Sequence, residues 1–384
     1  MNKKYFIAGI ILTVVFTLKG KYAFSSEISA ELIGSFQMDA AFYGSASDPG
    51  YELKNGAFMR RARIGVQGDV REWEYKVEFD MASESSELKS AFIRRLLGPG
   101  KLVFGQFKTF EGLDESNNGN DILFMERGYV SDIVPGFRIG VGYYATFGLI
   151  GFGGSFYDRR EASDGPSGPT TSEPTETIPG GFGWSARVFA APIKEVGKVV
   201  HFGGSYAREN TEDNGGRVRV RPLGRADVYD NGEPFRFVVF DRRDEKATIN
   251  RMNVEGVAIN GPIMLQAEYL TGTAQTASLP DDDFMASYTQ VSWIVTGESR
   301  EYDFIRGEIR RPVPSRTAGA VELAYRIQTV KRSNVPDAKL NATEYGLTYY
   351  ANVNVRFLVN YGTATDHLLN QKTKLLSFRT QFDF

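Results

Sequence analysis

The feature that most constrains this chain is a two-residue alternation of apolar and polar side chains that recurs along its length. Past the N-terminus no apolar run approaches the eighteen or so residues that a membrane-spanning helix requires. At the C-terminus Leu376, Phe378, Thr380, Phe382 and Phe384 alternate with Ser377, Arg379, Gln381 and Asp383. A period of two belongs to a β-strand, whose successive side chains leave on opposite faces. One face suits oil and the other suits water. The same period runs through Trp73, Tyr75, Val77, Phe79 and Met81, through Val353 to Tyr361, Val321 to Ile327, and Ile263 to Tyr269.

Eleven further segments alternate: Ile28 to Tyr43, Phe58 to Asp69, Leu88 to Arg95, Lys101 to Lys108, Phe137 to Tyr144, Leu149 to Asp158, Trp184 to Ala191, Val199 to Arg208, Met252 to Ile259, Ala286 to Ile294 and Thr343 to Tyr350. Sixteen strands result. They leave about 22 residues for each strand and its connection, the spacing of a transmembrane β-barrel with strands of roughly ten residues.

The first residues stand apart. Lys3 and Lys4 precede the apolar run Tyr5 to Leu18, and small residues follow near Ala23, Ser25 and Ser26. This reads as a signal peptide over residues 1–25, with residues 26–384 as the barrel domain; an uncleaved anchor is the alternative. The whole chain carries 45 basic and 47 acidic residues. Cleavage after Ser25 removes Lys3, Lys4, Lys19 and Lys21, leaving 41 basic residues against 47 acidic ones, a charge of about −6.

A secreted β-sandwich also alternates. Two features favour a barrel. Aromatic residues gather toward strand ends, as at Trp73 and Tyr75, Tyr143 and Tyr144, Tyr349 and Tyr350, where an interfacial girdle places them. Charges recur at consecutive inward positions, which a wet lumen tolerates and a dry sandwich core does not.

Three long connections interrupt the spacing: Phe110 to Phe124, Arg159 to Gly181 and Glu209 to Lys246. The middle one, rich in Pro, Ser, Thr and Gly, reads as external; the other two are candidates for folding into the lumen. The third contains Arg217, Arg219, Arg221 and Arg225, with no acid among them. In an extended segment the first three face one way and form a row of fork-shaped donors suited to phosphate or carboxylate oxygens. A surface patch facing lipopolysaccharide is the alternative. Arg60, Arg61 and Arg63 form a second basic group, although neighbours on a regular strand point in opposite directions.

The stretch N-G-A-F-M-R-R-A-R-I-G-V-Q-G from Asn55, with W-E-Y-K-V-E-F-D from Trp73, G-Q-F-K from Gly105, F-M-E-R from Phe124, R-V-R-P from Arg219, Q-A-E-Y from Gln266, V-T-G-E-S-R from Val295, A-V-E-L-A-Y-R from Ala320 and the terminal T-Q-F-D-F, resembles the phosphate-selective porin O/P family. The resemblance implies a homotrimer of barrels in a Gram-negative outer membrane, in contact with lipid and lipopolysaccharide, passing inorganic phosphate or other small anions. It further implies that Arg60 and Arg61 lie near the constriction, that Lys108 and Arg127 border the constricting loop, and that Arg219 and Arg221 belong to an arginine ladder, with Arg217 or Arg225 as supplements. The chain departs from the family pattern at Asn120, where a basic residue is usual, and at Leu223, where a further arginine follows the proline. A less selective porin or a structural or adhesive barrel are the alternatives.

Enzyme readings are weak. Cysteine is absent, so thiolate metal sites and Cys nucleophiles are excluded, and the two histidines, His201 and His367, are far apart. G-V-G-Y-Y-A from Gly140 fits a loose dinucleotide pattern but opens no helical segment. No catalysis, cofactor, metal or nucleic-acid partner is expected.

Overall fold

The structure, a computed structural model, describes residues 28–44, 53, 55–82, 86–158, 181–212, 215–224, 236–242 and 245–384. The expected signal peptide, Arg225 and most of the connection from Arg159 to Gly181 lie outside them.

The alternating segments pair in chain order into a closed antiparallel barrel of sixteen strands. They are β1 (Glu31–Tyr43), β2 (Gly56–Val70), β3 (Trp73–Asp80), β4 (Glu87–Leu97), β5 (Gly100–Lys108), β6 (Phe137–Phe147), β7 (Ile150–Asp158), β8 (Gly181–Glu195), β9 (Lys198–Thr211), β12 (Ala247–Asn260), β13 (Ile263–Thr276), β14 (Asp282–Ile294), β17 (Ala320–Arg332), β18 (Lys339–Tyr350), β19 (Val355–Asp366) and β20 (Gln371–Asp383). Two hairpins lie apart from the wall, β10 (Arg217–Val220) with β11 (Phe237–Asp241), and β15 (Glu301–Asp303) with β16 (Glu308–Arg310). The ring closes where β1 meets β20, from Ser35 opposite Asp383 to Tyr43 opposite Leu375.

Each expected strand has its counterpart; of the expected girdle, Tyr144 and Tyr350 turn inward instead, Tyr144 onto Phe110 and Tyr350 onto Glu322. Along β20, Leu376, Phe378 and Phe382 are exposed while Ser377, Arg379, Gln381 and Asp383 are buried. Tyrosines at the strand ends donate to nearby carbonyls, as Tyr75 does to Ser29, Tyr143 to Leu97 and Tyr349 to Ala318. That is how an amphipathic ring sits at a membrane interface.

The lumen is less wet than alternation alone suggests. The connection between β5 and β6 turns inward and carries two short helices, α1 (Leu113–Ser116) and α2 (Tyr129–Ile133). The β10/β11 hairpin joins it, and the two loops build a dry core against the long-loop end of β12 to β20. Val220, Phe237, Val239 and Phe240 pack there with Ile249, Leu270, Phe284 and Leu340. Each such side chain contributes roughly 1.5–3 kcal/mol when fully buried. Tyr129 joins the two loops by donating to the Pro222 carbonyl at 2.7 Å.

Inward-pointing arginines then hold the β5/β6 loop by its carbonyl oxygens. Arg300 donates to Asp121, Arg356 to Ile122, Arg379 to Met125 and Arg326 to Glu126, at 2.9, 3.0, 2.5 and 3.1 Å. Most of these arginines also pair with a wall carboxylate: Arg300 with Glu322, Arg326 with Glu344, and Arg379 with Asp39. On the other side Arg251 pairs with the loop's Glu111 at 2.8 Å. Glu268 accepts the backbone N–H groups of Leu113 and Asp114 at the start of α1.

A fourth long connection, 295–319, was not among the expected ones. It lies at the end of the barrel where the other turns are short, the periplasmic end in barrels of this class. Its β15/β16 hairpin reaches into the lumen. Arg187 donates to the carbonyls of Arg306 and Gly307, His201 shares a hydrogen bond with Tyr302 at 2.7 Å, and Ile309 N–H donates to Asn117 of the β5/β6 loop. His201 thus serves packing and hairpin attachment.

Replacing Arg379 by Ala should orphan the buried Asp39 and free the loop carbonyl of Met125. A loss of about 3–5 kcal/mol is expected for breaking a buried pair. It would be read as a lower temperature for the folded-to-unfolded gel shift, together with a larger single-channel conductance as the loop detaches.

Candidate functional site

β2 meets the β5/β6 loop at Arg60 and Arg61, the first paired with Glu126 and the second lying against Gly119. Arg60 and Arg61 both point inward, against the expectation for a regular strand, because β2 is not regular there. Gln37 pairs with Arg61 and Met38 with Met59, so Arg60 is an extra, bulged residue. A bulge puts two successive side chains on the same side of the ladder.

The two arginines have different surroundings. Arg60 is clamped by Glu126 of the loop, with Nε to Oε1 at 2.6 Å and Nη2 to Oε2 at 2.9 Å. Arg61 is 4% exposed, and its Nε and Nη1 have no hydrogen-bond partner among the described residues. Arg60, Arg63 and Arg127 add like charge around it, with Glu126 opposing them. Its guanidinium lies against Gly119, where an added Cβ would stand 2.5 Å from Nη1. Only a residue without a side chain leaves that approach open. A buried cation with unpartnered donors is costly.

Lys108 and Arg127 border the loop and staple its turn. Lys108 Nζ donates to the carbonyls of Glu115 and Asn117, and Arg127 donates to those of Asp114 and Asn117. Both lie within 4 Å of the Glu115 carboxylate. Asn120 docks the loop: its Oδ1 accepts from Ser35 and Gln37, and its carbonyl accepts from Gln381.

Arg217 and Arg219 lie on β10, whose Val220 is buried in the dry core with Val218 packed against it. The extra residue of that hairpin is on β11, so β10 keeps its alternation and turns both arginines away from the core. Arg217 stands 3.9 Å from Asp241, and the Arg221 N–H donates to Asp132 of α2. The two arginine groups therefore sit on two separate inward elements, β2 and the β10/β11 hairpin. Leu223 fills the core beside Gly362.

Sequence reasoning missed the loop-holding arginines and the hairpin at 301–310. The arginines were legible as inward charges on alternating strands, but nothing local indicated their partners.

On the short-turn side of the contact between β2 and the β5/β6 loop, a cavity of about 670 Å³ runs along β1 to β6, and Gly119 and Asn120 form part of its lining.

Comparison with known proteins adds three findings. The sequence pattern of the phosphate-selective porin O and P family matches residues 31–384. Porin O of Pseudomonas aeruginosa is 24% identical, with 90% of this chain and 85% of that protein covered. In fold, the chain is similar to a loop-deletion form of OmpT, an outer membrane protein of Vibrio cholerae (TM-score 0.59, 13% identity, 94% and 100% covered). It is likewise similar to an anion-selective porin from Comamonas acidovorans (TM-score 0.58, 10% identity, 93% and 100% covered).

Proposed function

The chain belongs to the phosphate-selective porin O and P family, and from that membership we propose an outer-membrane channel that passes small anions, inorganic phosphate among them, past Arg61 as the binding group. The observation that carries this reading is the buried Arg61 guanidinium, which forms no ion pair among the described residues while neighbouring arginines are pinned by carboxylates or carbonyls. A phosphate oxygen at its open donors would make charge-assisted hydrogen bonds in a zone from which most water is excluded.

Arg219 and Arg221, assisted by Arg217, supply an approach from the extracellular mouth. Several modest sites in series suit conduction better than one deep site, because an ion must also leave. The net charge of the mature chain opposes anions weakly at long range, but that field is screened beyond about 8 Å at physiological salt. Charge where β2 meets the loop therefore dominates.

Asn120 and Leu223 favour a second reading, a less selective porin. Each occupies a position where the family pattern carries a cation, and each has a packing task here. Export by a cleaved signal peptide over residues 1–25, a barrel domain over 26–384, contact with lipid and lipopolysaccharide, and a homotrimer complete the proposal. Similarity in fold to the trimer form of Vibrio cholerae OmpT supports the trimer. Passive diffusion through such a channel needs no catalytic residue.

In planar bilayers, Arg61→Gln should raise the phosphate concentration that half-blocks chloride current by roughly ten- to a hundredfold, as for loss of a charged hydrogen bond. Because Arg61 has no carboxylate to orphan, the barrel should unfold no more easily than the parent. Unchanged block in a folded barrel would remove Arg61 from the pathway. Replacing Arg219 and Arg221 together by Ala should move the reversal potential toward cations in asymmetric chloride. An unmoved potential would leave the hairpin arginines as a surface patch.

A further inference from the structure

The cavity along β1 to β6 has a wall that a simple water-filled ion pathway does not require. The rings of Phe92, Phe110 and Phe137 line it half-buried, with Phe107 and Tyr144 behind them. Phe110 is the centre of this shelf. Its ring centroid lies 6.2 Å from that of Phe107 and 5.7 Å from that of Tyr144, both pairs tilted near 45°. Two glycines on the wall make the space it occupies: an added Cβ would stand 2.9 Å from the Phe110 ring at Gly142 and 2.4 Å at Gly153. Water-facing aromatic surface costs free energy, so rings seated by wall glycines and turned toward a cavity point to a contact that removes water from them.

The charges around the shelf are cations edged onto rings. The Arg94 guanidinium lies 5.5 Å from the Phe92 centroid, and one of its N–H groups donates to the Tyr144 hydroxyl at 3.3 Å. Lys108 Nζ lies 5.8 Å from the Phe137 centroid. Each cation also has a carboxylate nearby. Arg94 and Lys101 share Glu74, Arg63 pairs with Asp80, Lys76 with Glu78, and Arg306 with Glu308. A small inorganic ion gains little from charges already neutralised in pairs. A flat ring adds contact with the shelf, and the same weak attraction of Arg94 and Arg306 for an attached anionic group then acts on top of the burial of the ring.

We propose that this vestibule is a second binding site, for organic anions that carry an aromatic ring, with aromatic carboxylates as the class it fits best. The ring lies on Phe110 and Phe92 in tilted or offset geometry, and the carboxylate meets the guanidinium edge. The site does not use the open donors of Arg61, so it is independent of the phosphate reading.

The test is block of chloride current through the reconstituted full-length channel by benzoate, with acetate as the ring-free control and phosphate as the inorganic one. On the unaltered channel benzoate should half-block at a concentration roughly three- to tenfold below acetate, the range expected for one aromatic contact. Phe110→Leu, which keeps an apolar side chain but no ring, should abolish most of that advantage and leave block by phosphate unchanged. Equal potency of benzoate and acetate on the unaltered channel would overturn the proposal even if the variant failed to assemble. An advantage that persists in folded Phe110→Leu and Phe92→Leu channels would also overturn it, by marking adsorption elsewhere. If Arg61→Gln leaves phosphate block intact while the benzoate advantage stands, the phosphate reading fails alone.

Discussion

Closure of the sheet is the constraint on which the other features rest. In hydrocarbon a backbone N–H or C=O has no water to turn to, so a spanning sheet cannot keep an open edge. The seam between β1 and β20 removes the last edge and brings the first and last strands of the chain together. It also sets Arg379 of β20 beside Asp39 of β1, so the same seam that completes the wall creates one of the anchors inside it. The lipid-facing side then has one requirement, apolar surface, while the lumen side is free to carry charge.

What the lumen does with that freedom divides its arginines into two kinds. Arg300, Arg326, Arg356 and Arg379 are spent on loop carbonyls and wall partners, and they give an otherwise irregular backbone the hydrogen bonds that a buried loop needs. A guanidinium suits this task because its five donors serve a carboxylate and a carbonyl at once. Arg61 is different because its Nε and Nη1 have no partner among the described residues and its guanidinium lies against Gly119. A count of arginines in such a lumen therefore says little by itself, because many of them are spent on holding the loops.

The wall was legible in the sequence because alternation is local and is repeated in each strand, and aromatic rims reinforce it. The inward turn of the two polar loops was also legible, from length together with polar and charged composition. The dry core they form was not, since the alternation of Val218 and Val220 with the arginines shows a face but not the distant residues, such as Phe284 and Leu340, that cover it. Nor was the hairpin at 301–310, which interrupts the short-turn side with strands of three residues each. The anchoring pairs were hidden by distance along the chain: Asp39 and Arg379 are 340 residues apart. Arg61 was visible as a residue, but its open donors depend on the loop folded over it.

The bulge at Arg60 has a consequence of another kind. A barrel strand carries a parity, odd positions to one solvent and even positions to the other, and one inserted residue reverses it for the remainder of the strand. Besides the break in β2, the described wall changes register at Lys89 of β4, where Glu78 pairs with Ser90 and Phe79 with Leu88, and around Ala191 and Pro192, facing His201. The first break sits where β2 meets the β5/β6 loop, and the last faces the histidine that attaches the periplasmic hairpin. Where the described strands otherwise keep strict parity, a parity error is itself a signal: in β2 it turns two successive side chains toward the inward loop, and in β8 it faces the residue that holds the hairpin.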